Sequence, residues 1–284
     1  MAGHYSRGMT FSIVARSEDG DRWGVAVASK FLAVGAVVPG VRPPIGAIAT
    51  QSFANLRYLP DGFANLAAGL DAQATLDALT AADDLRGQRQ AGVVDGFGLG
   101  ATFTGDECMP WAGGVTGPGY AIQGNILTGP EVVAEMEAAY LAATGPFERR
   151  LLAALLAGDR AGGDSRGRQS ASLLVGGVGA GYGGGSDIAI DLRVDDHADP
   201  CPELIRLLGI HDMLFGTPED VRPLEGEIAH RLTAALTALG YPTNDLAASL
   251  SQVAGVENLE ERLGPEGIDI VVLEHLEGLV RRKI

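Results

Sequence analysis

The chain is poor in cysteine. Its 284 residues include only Cys108 and Cys201, which are far apart and fit neither a disulfide framework nor a metal-binding motif. We expect both to be buried thiols in a reducing compartment. No charge-free apolar stretch approaches the ~20 residues that span a bilayer, and the first eight residues lack the apolar segment of a secretory signal. These absences predict a cytoplasmic protein with no membrane as partner.

Sequence motifs of cofactor and metal chemistry are also missing. There is no Gly-Lys-Ser/Thr phosphate loop, no Gly-x-Ser-x-Gly elbow and no His-Glu-x-x-His motif. Residues 179–184 formally fit a dinucleotide fingerprint, but a strand-like run follows them, which favours a hairpin tip. Asp195, Asp196 and His197 are potential ligands, yet no second His or Cys completes a metal site, so a charge network is favoured. We expect neither a metal nor an organic cofactor.

Positive charge is scarce as well. The chain has 21 basic against 36 acidic residues and a formal charge of −15. This balance disfavours nucleic acid and anionic membranes as partners, because both require a basic surface. Apolar residues, at 46%, are plentiful enough for a substantial core. The length allows one large domain, or one domain and a small module.

Strand-like and helical patterns alternate in pairs through the first 200 residues. Strands are predicted over residues 10–16, 23–29, 45–53, 90–95, 98–104, 120–127, 169–175 and 187–194. Helices are predicted over residues 56–70, 72–82, 130–144 and 146–157. Hairpin turns dominate the strand connections, so the sheets should be mainly antiparallel. Two sheets packed face to face with helices outside would bury every apolar face, which predicts an α+β fold, a four-layer αββα sandwich.

The C-terminal part of the chain has a different character. Composition changes near residues 195–202, and a helix is predicted over 202–215. Further helices are predicted over 224–239, 244–254 and 268–280, the first ending at Gly240 with Pro242 beyond it. We therefore expect an extension at 1–8, a main domain at 9–215 and a small helical module at 217–284.

The pair Met9-Thr10 carries the sharpest functional hypothesis. Met followed by a small hydroxyl residue resembles a start whose initiator is later removed. A threonine at a true N-terminus combines a nucleophilic hydroxyl with a basic α-amine. The alternative is that Thr10 is only the β-branched start of a strand.

Polar groups at neighbouring strand ends are candidate partners of Thr10. Ser29 and Lys30 end the second predicted strand, and a nearby ammonium would lower the pKa of a terminal amine from about 8. Lys30 could equally be a solvated strand-end residue. Arg168 lies in a polar turn and could bind a carboxylate, although a salt-bridged turn explains it as well.

Two further segments end apolar strands in amide and hydroxyl groups. The first contributes Gln51, Ser52 and Asn55, and the second contributes Gln123 and Asn125. Side-chain amides can orient a substrate amide or stabilise an oxyanion. They equally often satisfy the backbone groups of turns.

Seven separated segments together resemble one family. They are Thr-Phe-Ser-Ile-Val-Ala-Arg, Gly-Val-Ala-Val-Ala-Ser-Lys-Phe, Ala-Thr-Gln-Ser-Phe-Ala-Asn, Cys-Met-Pro-Trp-Ala-Gly, Gln-Gly-Asn-Ile-Leu, Arg-Gly-Arg-Gln-Ser-Ala and Asp-Leu-Arg-Val-Asp-Asp-His. They resemble, in order and across roughly residues 9–215, an uncharacterised bacterial and archaeal branch of the N-terminal nucleophile (Ntn) hydrolases. Residues 226–276 resemble a small peptidoglycan-binding module.

The resemblance implies a function and a set of roles. It implies an αββα hydrolase that cleaves the C–N bond of a small or peptide-like amide, with Thr10 at the nucleophile position and Met9 at the usual start. Lys30 and Asn125 are its other candidate catalytic residues; Ser29, Gln51, Ser52, Asn55, Gln123 and Arg168 are candidate substrate-binding residues. A homo-oligomer, a peptidoglycan fragment as partner, and a non-catalytic binding protein on the same fold all stay open.

Overall fold

The computed structural model describes residues 10–264 and 267–283. The chain divides into two compact units, and the boundary lies between Ile205 and Arg206. The strands of the first unit are β1 (Thr10–Arg16), β2 (Arg22–Ser29), β3 (Pro39–Arg42), β4 (Gly46–Ser52), β5 (Arg89–Asp95), β6 (Gly100–Thr104), β7 (Gly113–Gly117), β8 (Tyr120–Asn125), β9 (Ser170–Gly177) and β10 (Ile188–Val194). Its helices are α1 (Tyr58–Ala67), α2 (Ala72–Ala81), α3 (Glu131–Ala142), α4 (Phe147–Arg160) and the start of α5 (Pro200–Phe215).

A six-stranded antiparallel sheet carries the N-terminal strand at its centre. Its order is β10-β9-β2-β1-β8-β7. In β1, Phe11 lies opposite Ala28 of β2, and Thr10 lies opposite Asn125 of β8. The hairpins predicted between β1 and β2 and between β9 and β10 are confirmed.

The second sheet has four strands in the order β3-β4-β5-β6, also antiparallel. The predicted hairpin of β5 and β6 is confirmed. Strands β3 and β7 were not predicted from the sequence. Their segments, Pro-Gly-Val-Arg and Gly-Gly-Val-Thr-Gly, contain residues that disfavour strands. Both lie at sheet edges, where a single neighbour supplies the pairing.

Successive residues of β2 lie on opposite faces of its sheet, one face toward the second sheet and the other toward a helix. In β2, Val25 and Val27 lie in a core cluster with Ala47 and Ala49 of β4. Gly24, on the opposite face of β2, allows α4 to approach, because a Cβ there would lie 2.6 Å from a methyl of Leu151. Helices α3 and α4 contact the six-stranded sheet, and α1 and α2 contact the four-stranded sheet.

The second unit has its own core. It contains β11 (Val221–Arg222), β12 (Ile268–Asp269), α6 (Gly226–Leu239), α7 (Leu246–Glu257) and α8 (Ile270–Lys283). Helix α6 ends at Gly240, whose positive φ of 91° suits glycine, as the sequence predicted. The core includes Leu232, Leu236 and Val272. Among the described residues, no helix of either unit is long and apolar enough to cross a membrane.

Candidate active site

Thr10 is the first residue of the central strand β1 and is only 3% exposed. Its hydroxyl donates a hydrogen bond to Ser29 Oγ over 3.3 Å. Ser29 is the last residue of β2, so the antiparallel pairing of β1 and β2 brings the start of one strand to the end of the other. The predicted proximity of Thr10 and Ser29 is therefore present in the structure. Met9, the other member of the predicted pair, lies outside the described residues.

Two predicted amides hold the main chain of Thr10. The Nε2 of Gln51 donates to the Thr10 carbonyl over 3.2 Å, and the Nδ2 of Asn125 approaches the same oxygen at 3.5 Å. Gln90 accepts from both amides through its Oε1, over 2.8 Å from Gln51 and 2.9 Å from Asn125. Because Gln90 Oε1 can only accept hydrogen bonds, the Nε2 of Gln51 and the Nδ2 of Asn125 both point toward it.

Gln90 was not among the residues predicted from the sequence. It is fully buried, and its Nε2 donates to Thr104 Oγ1 and to the Gly124 carbonyl, over 2.8 and 2.7 Å. It thereby connects the four-stranded sheet, on which it lies, to β8 of the six-stranded sheet. A polar residue opening a predicted buried strand was the only signal that could have identified it.

Gln123 and Ser12 extend the polar cluster. Gln123 Nε2 donates to Ser12 Oγ over 2.7 Å, and that hydroxyl donates to Gln51 Oε1 over 2.6 Å. Gly92 makes room for this glutamine, since a Cβ at Gly92 would lie 2.1 Å from Gln123 Oε1. Among the described residues, Gln123 Oε1 and Asn125 Oδ1 are buried without a hydrogen-bond partner.

A cavity of about 320 Å³ borders Ser29, the hydrogen-bond partner of Thr10. Ser29 and Phe11 form part of its wall, together with Asp159, Asp164 and Arg168. The side chain of Arg168 donates from Nε to Asp159 Oδ1 over 2.6 Å. This hydrogen bond to a carboxylate raises the pKa of the Arg168 guanidinium. The cavity therefore has both an apolar and a charged wall.

Lys30 contacts the charged side of this cavity. Its backbone N–H donates to Asp164 Oδ2 over 2.7 Å, and its exposed side chain donates from Nζ to the Arg168 carbonyl over 3.2 Å. Asp164 is buried and also forms an ion pair with Arg166. The structure thus places the Lys30 ammonium on the turn that carries Arg168.

Ser52 and Asn55 have their contacts in a different cluster. Asn55 Nδ2 donates to Asp83 Oδ2 over 2.9 Å, and that carboxylate also forms a buried ion pair with Arg89. Burial alone would raise the pKa of Asp83, but the hydrogen bonds from Arg89 and Asn55 outweigh it and hold the pKa well below 3.8. Ser52 Oγ accepts a weak hydrogen bond from the Cys108 thiol. These groups support the loop after β4.

The acidic cluster after β10 is satisfied by neighbouring polar groups. Gln169 Nε2 donates to Asp196 Oδ1 over 3.1 Å, and the Asp199 N–H donates to His197 Nδ1 over 3.0 Å. In the part of the chain that the structure describes, no group of three or more His, Cys, Asp or Glu residues is arranged to hold a metal ion.

Comparison with known families agrees with the division of the chain into two compact units. Residues 10–204 match the model of a family of unknown function, DUF1028. The chain belongs to the DUF1028 family. The match to the DUF1028 model begins at Thr10, the residue that opens β1. Residues 214–276 match a second model, described as "Putative peptidoglycan binding domain".

A solved structure supports the same assignment. The chain is 30% identical to the protein SPO2555 from Silicibacter pomeroyi, whose crystal structure carries the DUF1028 designation. The two structures superimpose with a TM-score of 0.66, and the alignment covers 78% of this chain and 88% of that one. No curated protein matches the chain at a significant level.

Proposed function

We propose that the chain is an amidohydrolase of the N-terminal nucleophile type, a four-layer αββα sandwich in which Thr10 attacks the substrate. The observation that carries the proposal is the position of Thr10 at the start of the central strand, hydrogen-bonded to a serine of the cavity wall. The start of the family match at Thr10 supports it further. The proposal requires cleavage of the Met9–Thr10 peptide bond, which frees the α-amine.

The groups that react with the substrate are the hydroxyl and the α-amine of Thr10 and one water. The hydroxyl oxygen bonds to the substrate carbonyl carbon while its proton passes to the neutral α-amine. Backbone N–H groups stabilise the resulting oxyanion. The C–N bond then breaks, and the leaving amine takes the proton from the α-ammonium. Water then attacks the carbonyl carbon of the ester on Thr10 Oγ1 and gives a proton to the α-amine. The C–Oγ1 bond breaks, the α-ammonium returns the proton to Oγ1, and the carboxylic acid leaves.

The buried amides have a positioning role in this scheme. Gln51 and Asn125 bind the Thr10 carbonyl, and Gln90 fixes the orientation of both amides. Together they fix the main chain of the nucleophile, so that its hydroxyl and amine keep one geometry. Asn125, considered from the sequence as an oxyanion group, acts here on the backbone because its nitrogen already has two acceptors.

The test is amide hydrolysis by protein whose N-terminus is verified as Thr10. Amine release is measured across a panel of small amides, for the wild type and for Thr10→Ala and Thr10→Ser. We expect Thr10→Ala to lose turnover by several orders of magnitude while keeping its circular dichroism spectrum, and Thr10→Ser to retain it in part. Unchanged turnover in Thr10→Ala would overturn the nucleophile assignment. Binding without any amine release by the wild type would favour a non-catalytic binding protein instead.

A further inference from the structure

The wall of this cavity includes an arginine that has no ionic partner among the residues that the structure describes. Arg160, the last residue of α4, is exposed and belongs to the lining of the cavity. Among residues 10–264 and 267–283, its guanidinium has no ion pair and no hydrogen bond. The acidic residues of the wall already have cationic partners, because Asp164 is paired with Arg166 and Asp159 with Arg168. Arg160 is therefore available to pair with an anionic group of a ligand.

Arg168 presents a second, pre-oriented guanidinium to the same space. Asp159 fixes it through Nε, at 2.6 Å, and the exposed Asp199 lies 3.5 Å from Nη1. The side chain stays 44% exposed. An arginine held at Nε by one carboxylate can still donate from its terminal nitrogens to another carboxylate. Little side-chain entropy is then lost when a ligand binds.

The dimensions of the cavity limit the ligand. About 320 Å³ is at the lower end of the range for small-molecule sites, which favours a compact metabolite over a long peptide. Phe11 and Ala28 supply an apolar wall, and Ser29 connects the cavity to the Thr10 hydroxyl. A ligand in the cavity is therefore bordered both by the partner of the Thr10 hydroxyl and by arginines.

We propose that this cavity binds an amide that carries a carboxylate, such as a small N-acylated amino acid, through Arg160 and Arg168. The proposal rests on the proposed hydrolase function, because it places the scissile amide at Thr10. It identifies the substrate as an anion, although the chain as a whole carries a charge of −15. The local arginines, and not the net charge, then decide which amide is bound.

Binding without turnover tests this proposal separately from catalysis. The protein is the full chain with Thr10→Ala, and the probes are N-acetylglycine, its neutral amide and the cationic N-acetylethylenediamine. Ligand-observed NMR at millimolar probe concentration gives the three affinities. We expect N-acetylglycine to bind at least about tenfold more tightly than either of the other probes, as for a hydrogen bond between charged groups.

Matched variants assign the binding to the two arginines. Arg160→Gln and Arg168→Gln should each weaken binding of N-acetylglycine about tenfold and leave the neutral amide unaffected. Arg86→Gln, an exposed arginine elsewhere in the unit, should change neither affinity. The proposal would be overturned if the three probes bound equally, if the cation bound more tightly, or if N-acetylglycine did not bind. It would also be overturned if neither arginine substitution changed the affinity for N-acetylglycine. None of these results depends on whether Thr10 is ever a free N-terminus.

Discussion

Replacement of Gln90 by methionine should destabilise the first unit substantially. Methionine has a similar length but can neither donate nor accept the hydrogen bonds of the buried amide. The Nδ2 of Asn125 would keep only its 3.5 Å contact with the Thr10 carbonyl, and Gln51 would lose its 2.8 Å bond. The Gly124 carbonyl would lose a donor at 2.7 Å.

The magnitude follows from the groups left without partners. A buried polar group deprived of its partner costs about 1–3 kcal/mol, so the Asn125 amide and the Gly124 carbonyl together cost about 2–6 kcal/mol. Gln51 is not counted, because its Nε2 keeps the Thr10 and Gln123 carbonyls as acceptors. A domain is stable by about 5–15 kcal/mol in total. For a unit of this size, about 2 kcal/mol lowers the Tm by about 4 °C or more.

Urea and thermal unfolding, followed through the fluorescence of the buried Trp23, measure the effect. The control is Gln73→Met, which removes an exposed amide bound only to Asp77 and should change stability by less than about 0.5 kcal/mol. If Gln90→Met unfolds within about 0.5 kcal/mol of the wild type, the buried amides do not hold the two sheets as described.

Three further changes test other parts of the structure. The folded state lowers the pKa of Asp83, so the carboxylate stabilises the fold fully above its ordinary pKa of 3.8. This stabilisation is lost as the pH falls below 3.8. Asp83→Asn should therefore flatten the loss of stability in acid unfolding curves. Gly92→Ala should lower stability by about 1–3 kcal/mol in urea titrations, because the new methyl overlaps Gln123. In the second unit, Arg262→Met should lower stability by about 3–5 kcal/mol in thermal melts, because it leaves the buried Asp269 carboxylate without its ion pair.

Each of these changes has a matched control. Asp77→Asn, at an exposed position of α2, should leave the acid unfolding curve as in the wild type. Gly185→Ala has only a 3.4 Å neighbour and a negative φ, so it should be nearly neutral. Arg222→Met breaks only an exposed ion pair and should leave the melting temperature nearly unchanged. If a control proved as damaging as its partner, the local explanation would be wrong.

Regular apolar patterns made most of the fold predictable. Strand β1 was predicted with its observed bounds, Thr10–Arg16, because its run of β-branched and apolar residues is bounded by a clear turn. Helix α2 was predicted to within one residue from the three- and four-residue spacing of its apolar side chains. The structure adds that Asp71 caps its N-terminus by accepting a hydrogen bond from the Ala74 N–H. Strands β3 and β7 were missed because their own residues disfavour strands and only the sheet stabilises them.

The candidate site was predictable only in part. Thr10 and Ser29 meet because a hairpin joins their strands, a local feature that the turn residues reveal. Gln90 escaped prediction because its role depends on the stacking of two sheets, which brings it to Gly124 and Asn125 of β8, 34 and 35 residues away in sequence. Asn55 was grouped with the site because it follows Gln51 and Ser52 in a segment rich in amides and hydroxyls. In the structure its amide donates to Asp83 instead.

The mass of the intact protein, purified from its own cells, tests the central claim most directly. The account predicts a chain that begins at Thr10, with an unmodified α-amine. Such a terminus is the one form in which the hydroxyl and amine of Thr10 can act together. A protein that retains Met9, or any residue before it, in its fully active form would contradict the account.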